Sequence, residues 1–387
     1  MADGGELQTA NATVPRPRKR WSVRIARIAG IDVFVHATFV LLAVWYVAGV
    51  IAAGAAPAEA FLPAFYVAAI FGCVVLHELG HALMARRFGI RTRDITLYPI
   101  GGIASLERIP SEPKAELLIA LAGPAVNLVL AGGLALLGAA VPGLMGLGHV
   151  RGVEQSLLTS LLGANLFLAV FNLVPAFPMD GGRVLRALLA GSLERARATR
   201  IAALIGQALA VSVMVGVLVL GWPVTLLFIG VIVLLGAGQE VRMVEREVAL
   251  VGVTVAGAME TRLDVLSPLA TLRDAERLLL ASAQSDFAVV DREGRPVGML
   301  GREELIGALA AESPDQPVAG PMRTRFPVAR VDERATEVLQ RTADLPWRAM
   351  PVVDEAGRLV GLLTIENVSE LVMLKAAHAA RSHAVAR

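Results

Sequence analysis

The chain has 387 residues, of which 55% are hydrophobic and only 18% charged, with a mean hydropathy of +0.62. That balance excludes an ordinary soluble globular protein and implies a membrane protein with room for a second folding unit. A formal net charge of +2 and a pI near 9.0 are too small an imbalance for a nucleic-acid binder, and a single cysteine, Cys73, excludes an intrachain disulfide.

Residues 1–29 read as a basic cytoplasmic tail. The run Pro15-Arg16-Pro17-Arg18-Lys19-Arg20 stands before the first apolar stretch and resembles an anchor more than a cleavable signal. Six apolar stretches follow, each near the ~20 residues needed to cross hydrocarbon. They run roughly from Val33 to Ala53, Phe61 to Ala85, Glu116 to Val141, Leu157 to Val174, Ile201 to Leu220 and Val224 to Gly238. The first carries His36, read as a hydrogen-bonded structural histidine. The last two share Gly221-Trp222-Pro223, which predicts a tight helical hairpin.

The second stretch carries His77-Glu78-Leu79-Gly80-His81. On a helix, imidazoles four residues apart leave from one face and can grip a single zinc ion, while the intervening carboxylate reaches a water beside it. Three ionisable groups within hydrocarbon are costly unless a metal, a water cavity or a partner compensates, so the motif predicts chemistry rather than a helix end. Cys73, one turn earlier, reads as a small buried residue and not as a ligand.

After this span, Asp94 to Glu107 reads as a short β-hairpin turning at Gly101-Gly102, with an edge able to take an extended peptide by strand addition. Asn127, Asn165 and Asn172 lie within later spans. They are candidates for substrate or oxyanion contacts, against the commoner use of membrane asparagine in interhelical hydrogen bonds; Asn127 and Asn172 are favoured for lying near the motifs. Gly123-Pro124 and Gly132-Gly133 are read as close helix packing.

The fourth span ends in Asn172-Leu-Val-Pro175-Ala-Phe-Pro178-Met-Asp180-Gly181-Gly182-Arg183. Broken backbone at membrane depth is tolerated where it lines a cavity or is buried, so Asp180 is the expected third zinc ligand, the alternative being a plain helix cap. Basic residues support one topology. Arg16 to Arg27, the set Arg86, Arg87, Arg91, Arg93, Arg108 and Lys114, the set Arg183, Arg186, Arg195, Arg197 and Arg200, and the pair Arg242 and Arg246 fall on one side of a six-span alternation; Arg151 alone opposes them. Both termini are therefore expected in the cytoplasm, with His77 roughly 13 Å along its helix from the charged end.

These motifs resemble the site-2 protease family of intramembrane zinc metalloproteases, in its bacterial subgroup with C-terminal CBS domains. His77-Glu78-x-x-His81 matches the family's metal motif and Pro178-x-Asp180-Gly181 its second motif, in the right order. The resemblance runs from about Gly30 to Leu374. It implies one zinc ion per chain held by His77, His81 and Asp180, with Glu78 as catalytic base. It also implies a re-entrant β-element, with Gly101 and Gly102 against the substrate, and residence in the bacterial inner membrane. The expected substrates are membrane-spanning regulatory proteins, such as anti-sigma factors or membrane-tethered transcription factors.

Beyond Glu240 the composition becomes soluble and repeats. Val255-Ala-Gly-Ala-Met-Glu-Thr-Arg262 recurs 63 residues on as Val318-Ala-Gly-Pro-Met-Arg-Thr-Arg325. Phe287-Ala-Val-Val-Asp291-Arg-Glu-Gly294 recurs in the same register as Met350-Pro-Val-Val-Asp354-Glu-Ala-Gly357. Each unit reads as helix, strand, Asp/Gly turn, strand and helix, spanning 250–312 and 313–375, with 376–387 as a flexible tail. This resembles a tandem CBS pair, which implies adenine-nucleotide binding or homodimerisation. The positions matching the ribose-contacting pattern are Thr364 and Asn367 in one repeat and Gly301 and Glu304 in the other. Both depart from the family's Thr/Ser-x-x-Asp, which leaves the sensor and assembly roles equally open.

The expected architecture is thus a polytopic α-helical membrane domain over 30–240, about six spans with a membrane-associated β-hairpin, followed by a soluble α/β CBS pair. The expected function is intramembrane zinc endopeptidase, acting on a transmembrane protein amid lipid and not on nucleic acid. The rivals are a membrane-anchored CBS sensor or scaffold without catalysis and, more weakly, a metal transporter. Glu78 separates them, because a transporter needs ligands but no base.

Overall fold

The computed structural model describes residues 21–52, 54, 61–99, 101–106, 110, 112–141, 156–342 and 347–385. The basic run before Trp21, Glu107, Arg108 and Arg151 lie outside them. The described residues divide into two compact units, 21–244 and 245–385.

The first unit opens on strands where the sequence suggested a tail and a span. β1 (Ser22–Ile28) and β2 (Ile31–His36) pair antiparallel across Ala29-Gly30, whose φ angles of 53° and 86° suit a tight hairpin turn. β2 then runs parallel to β3 (Thr92–Tyr98), which pairs antiparallel with β4 (Gly101–Leu106), giving the order β1-β2-β3-β4. The expected start of the first span at Val33 is corrected: Ile31 and Val33 point inward in strand alternation, and the helix α1 begins at Ala37 and ends at Ala52. The expected hairpin exists as β3-β4, with its turn just before the glycine pair.

The apolar helices are α1, α2 (Phe61–Arg87), α3 (Pro113–Ala140), α4 (Leu157–Asn172), α6 (Arg195–Leu220) and α7 (Thr225–Leu250), with the short amphipathic α5 (Asp180–Ala190) between α4 and α6. Four of them, α2, α3, α6 and α7, are long and apolar enough to cross a membrane; α1 and α4, at 16 residues, are shorter, about 24 Å each. Local chemistry sets the ends. Proline opens α3, the Ser156 hydroxyl accepts from Thr159 N–H at the start of α4, and Gly221 at φ 69° closes α6 before the Trp222-Pro223 turn. Large apolar side chains face outward, among them Val129, Leu136, Leu218, Val219 and Phe228, as lipid requires and water does not permit at this density.

The sheet lays Ile31, Val33, Ile95 and Leu97 against Val75, Leu79 and Ala82 of α2, so it braces the helix that carries the histidine motif. Behind α5, Ala176 and Phe177 pack on Ala202, Ala203 and Ala210 of α6 and on Val233 and Ala237 of α7. The helix ends of the connection between α4 and α5 are thereby fixed in small-residue packing.

The second unit shows the duplication directly. β5 (Val265–Leu266), α8 (Leu272–Ala281), β6 (Asp286–Val290), β7 (Pro296–Gly301) and α9 (Arg302–Ala311) are followed by β8 (Ala329–Arg330), α10 (Ala335–Thr342), β9 (Ala349–Val353), β10 (Leu359–Thr364) and α11 (Ile365–Val385). Each half has a three-stranded sheet with one parallel and one antiparallel pair. The turn glycines Gly294 and Gly357 share φ 78°, and Asp291 and Asp354 accept backbone N–H bonds from Arg295 and Arg358.

The short first strands escaped the sequence reading. Packing also crosses the linear repeats: Val253, Val255 and Ala258 enter the core of the second half, beside Val338 and Met350, while Val318 enters the first, beside Leu266 and Phe287. The two sheets meet at Ala288, Met299, Ala349 and Leu362. The stretch expected as a tail continues α11 as far as Val385.

Candidate metal centre

His77 and His81 lie one turn apart on α2, and Asp180 is the first residue of α5; all three are buried. Their donor atoms converge. His77 Nε2 and His81 Nε2 are 3.0 Å apart, and Asp180 Oδ2 lies 3.2 and 3.1 Å from them. Tetrahedral zinc with bonds of about 2.0–2.1 Å places its ligand atoms roughly 3.3 Å from one another, so the trio has the spacing of three corners of such a site. Among the described residues it is the only group of three or more such side chains gathered this closely.

The proton inventory sharpens this. His81 Nδ1 lies 2.7 Å from the Ile119 carbonyl, which can only accept, so Nδ1 carries the hydrogen and a neutral ring presents a lone pair at Nε2. On the other ring the assignment starts from the Leu161 carbonyl. Asn165 Nδ2 donates to it at 2.9 Å, so Asn165 Oδ1 accepts from Asn127 Nδ2 at 3.1 Å, and Asn127 Oδ1 faces His77 Nδ1 at 2.6 Å. His77 is therefore also hydrogen-bearing at Nδ1, so that as a neutral ring it presents its lone pair at Nε2. Two imidazole lone pairs and a carboxylate oxygen thus face one point, an arrangement that a cation relieves and that fits zinc.

The supporting groups lie in a stripe of α3. Asn127 holds His77, the Ile119 carbonyl holds His81, and Gly123 between them is flush with both rings: a Cβ there would lie 2.7 Å from His77 Nε2 and closer still to His81. Asn127, a candidate for either a substrate contact or an interhelical hydrogen bond, is fully buried and bonds His77 and Asn165. Gly123, expected only to ease helix packing, makes room for the site. The sequence reading missed Ile119, whose contribution is a backbone carbonyl.

The remaining residues are placed as follows. Glu78 projects against β4, where a Cβ on Gly102 would meet its Cγ at 2.6 Å, while Gly101, at φ 137°, has open space around it. Asn172 ends α4 half-buried and, among the described residues, no hydrogen bond ties it to the trio. Cys73 accepts a 3.2 Å bond from Asn165, and His36 stacks on Tyr98 and bonds Thr38. Arg186, read as a flanking charge, is instead deeply buried, donating to Glu116 and Glu240.

In the CBS unit, Thr364 Oγ1 accepts from Asn367 N–H at 3.0 Å and lies 2.7 Å from Asn367 Oδ1, capping α11. Glu304 pairs instead with Arg323 at 2.9 Å, beside Gly301 and Asp286. Burial pushes the Asp286 carboxyl up from its ordinary range, against the pull of Arg323.

The sequence profile of Peptidase family M50 matches residues 65–161 and 148–214, and that of the CBS domain matches 255–311 and 318–374. The zinc metalloprotease MJ0392 of Methanocaldococcus jannaschii is 34% identical over 281 residues, 73% of this chain and 78% of that protein. Rip3 of Mycobacterium tuberculosis is 32% identical over 374 residues, 91% of this chain and 93% of that one. The solved site-2 protease from Methanocaldococcus jannaschii shares 35% identity, covering 57% of this chain and 96% of its own, with a TM-score of 0.43.

The helices and the relatives define an intramembrane metalloprotease. The chain belongs to peptidase family M50, the site-2 proteases, and carries a tandem CBS pair.

Proposed function

We propose that His77, His81 and Asp180 hold one zinc ion and that Glu78 is the general base of an HExxH-type endopeptidase. The observation that carries this reading is the meeting of three donor atoms at 3.0–3.2 Å, with both imidazoles oriented from behind by acceptors. Zinc held there supplies Lewis acidity, polarising a carbonyl and lowering the pKa of water toward ~7. Glu78 takes the proton of the attacking water and returns it to the leaving amide nitrogen as the C–N bond breaks.

The substrate is a transmembrane segment of a regulatory membrane protein, of the anti-sigma-factor or membrane-tethered transcription-factor kind. A helix hides its carbonyls, so the segment must be unwound before attack, and the outer edge of β4, which pairs with no further strand among the described residues, supports a role in receiving it. Gly102 brings that strand against Glu78, so a peptide added along the edge runs beside the base. The arginines near the ends of α2 and α6 support a cytoplasmic placement of the site and of both termini in the bacterial inner membrane. Comparison of membrane proteomes from cells carrying wild-type protein or Glu78→Gln tests the whole reading. A membrane-spanning regulator should accumulate uncut with the variant, and identical proteomes would favour a CBS sensor or scaffold without proteolysis.

The CBS pair is a regulatory or assembly module, through homodimer contacts or an adenine nucleotide. The engagement of Thr364 and Asn367 in a helix cap, and of Glu304 with Arg323, supports assembly over sensing. Calorimetric titration of the full-length protein in detergent with AMP and ATP should accordingly show no binding up to millimolar ligand. Saturable binding that changes the cleavage rate would assign the sensor role instead, since a ligand shifts activity only by differential affinity.

A further inference from the structure

We propose that Arg186 is a positioning residue for Asp180, fastening the third zinc donor to the same helix that orients the two histidines. This rests on Asp180 as a zinc ligand. Its origin is a problem of geometry: His77 and His81 share the 27-residue α2, whereas Asp180 opens the 11-residue α5 and must be held in register from outside.

Arg186 stands six residues after Asp180, roughly 9 Å along α5 and about 240° around it, so the two side chains leave in different directions. Its guanidinium is 1% exposed. Nε donates to Glu116 Oε1 of α3 at 2.7 Å, Nη2 donates to the same oxygen, and Nη1 donates to Glu240 Oε1 of α7 at 2.5 Å. The cation also lies 5.0 Å from the centre of the Phe177 ring, three residues before Asp180. Arg186 therefore grips the chain on both sides of the donor.

The placement of Glu116 is what points beyond a stabilising ion cluster. Glu116, Gly123 and Asn127 fall within about 20° of one line along α3, and the Ile119 carbonyl lies between them. From that stripe Asn127 orients His77, the Ile119 carbonyl orients His81, and Glu116 takes Arg186. One helix thus references all three donors, two directly and the third through Arg186. A planar fork meeting two carboxylates fixes rotation as well as distance, which a point charge does not.

The test uses full-length protein in detergent, loaded with zinc or with cobalt(II) as a spectroscopic probe. Arg186→Gln should release zinc to a chelator about tenfold faster and lower kcat roughly 10- to 100-fold, with KM within about twofold, the range for groups that orient metal ligands. Its cobalt absorption should move toward that of Asp180→Ala, and the double variant should match Asp180→Ala alone. Wild-type cobalt spectrum, zinc release and kcat in Arg186→Gln, with only thermal stability lowered, would overturn the proposal. An unchanged spectrum and zinc content in Asp180→Ala would instead remove the third-donor reading, and the proposal with it. Should Arg186→Gln not fold, Arg186→Lys keeps the cation and loses the fork; a wild-type spectrum and zinc release in that variant overturns the proposal equally.

Discussion

Alanine at His77, His81 or Asp180 should each lower the zinc content of the purified protein, whereas Glu78→Gln should keep the ion and lose peptide hydrolysis. The two outcomes separate because the groups do different work. The two Nε2 atoms and Asp180 Oδ2 converge on one point at 3.0–3.2 Å, and removing any one leaves two donors where a structural or catalytic zinc site has at least three. Glu78 stands outside that trio, against Gly102 of β4, so its amide counterpart leaves the donors in place and removes only the proton acceptor. Loss of a general base costs about 10²- to 10⁴-fold in rate. Metal analysis by plasma mass spectrometry and cleavage of an unwound test peptide check the two halves independently. Full zinc occupancy in Asp180→Ala would show that another group supplies the third donor, and near-normal hydrolysis in Glu78→Gln would remove Glu78 as the base.

What the sequence could show of this site follows from the range of the interactions. His77 and His81 share a helix turn, so their convergence is a property of local spacing. Asp180 stood out because two prolines and two glycines break the chain around it, and the structure brings its carboxylate to the two histidines. The rest depends on which helix packs against which: His77 meets Asn127 across 50 residues, Asn127 meets Asn165 across 38 and Arg186 meets Glu116 across 70. No periodicity encodes those pairs, and a carbonyl such as that of Ile119 leaves no trace in a sequence at all.

The strands β1 and β2 were hidden for a different reason. The alternation of Ile31, Val33 and Val35 runs without a break into the apolar α1, so a window wide enough to find a span absorbs the strand. In the CBS unit the duplicated Asp-x-x-Gly turns fixed the register of the two halves in advance, because turn chemistry is local. The exchange of leading segments between the halves is a matter of tertiary packing, and only the structure shows it.

Gly123→Ala should weaken zinc binding at least roughly 5- to 150-fold while leaving α3 at least as helical as before. Alanine is the better helix former by roughly 1 kcal/mol, so propensity alone predicts a more stable protein. The added methyl, however, would project into the space between the two imidazoles, 2.7 Å from His77 Nε2 and nearer to His81, and neither ring can retreat freely. His77 is held by Asn127 and His81 by the Ile119 carbonyl, both on α3 itself, so moving the rings breaks the bonds that set their tautomers. Overpacking of this kind costs about 1–3 kcal/mol, equivalent to a roughly 5- to 150-fold loss of zinc affinity, before the lost ring orientation is counted. Circular dichroism and zinc titration on the same preparation read the two effects separately. Wild-type zinc affinity in Gly123→Ala would mean that the rings move together with α3 and that the stripe does not set their position.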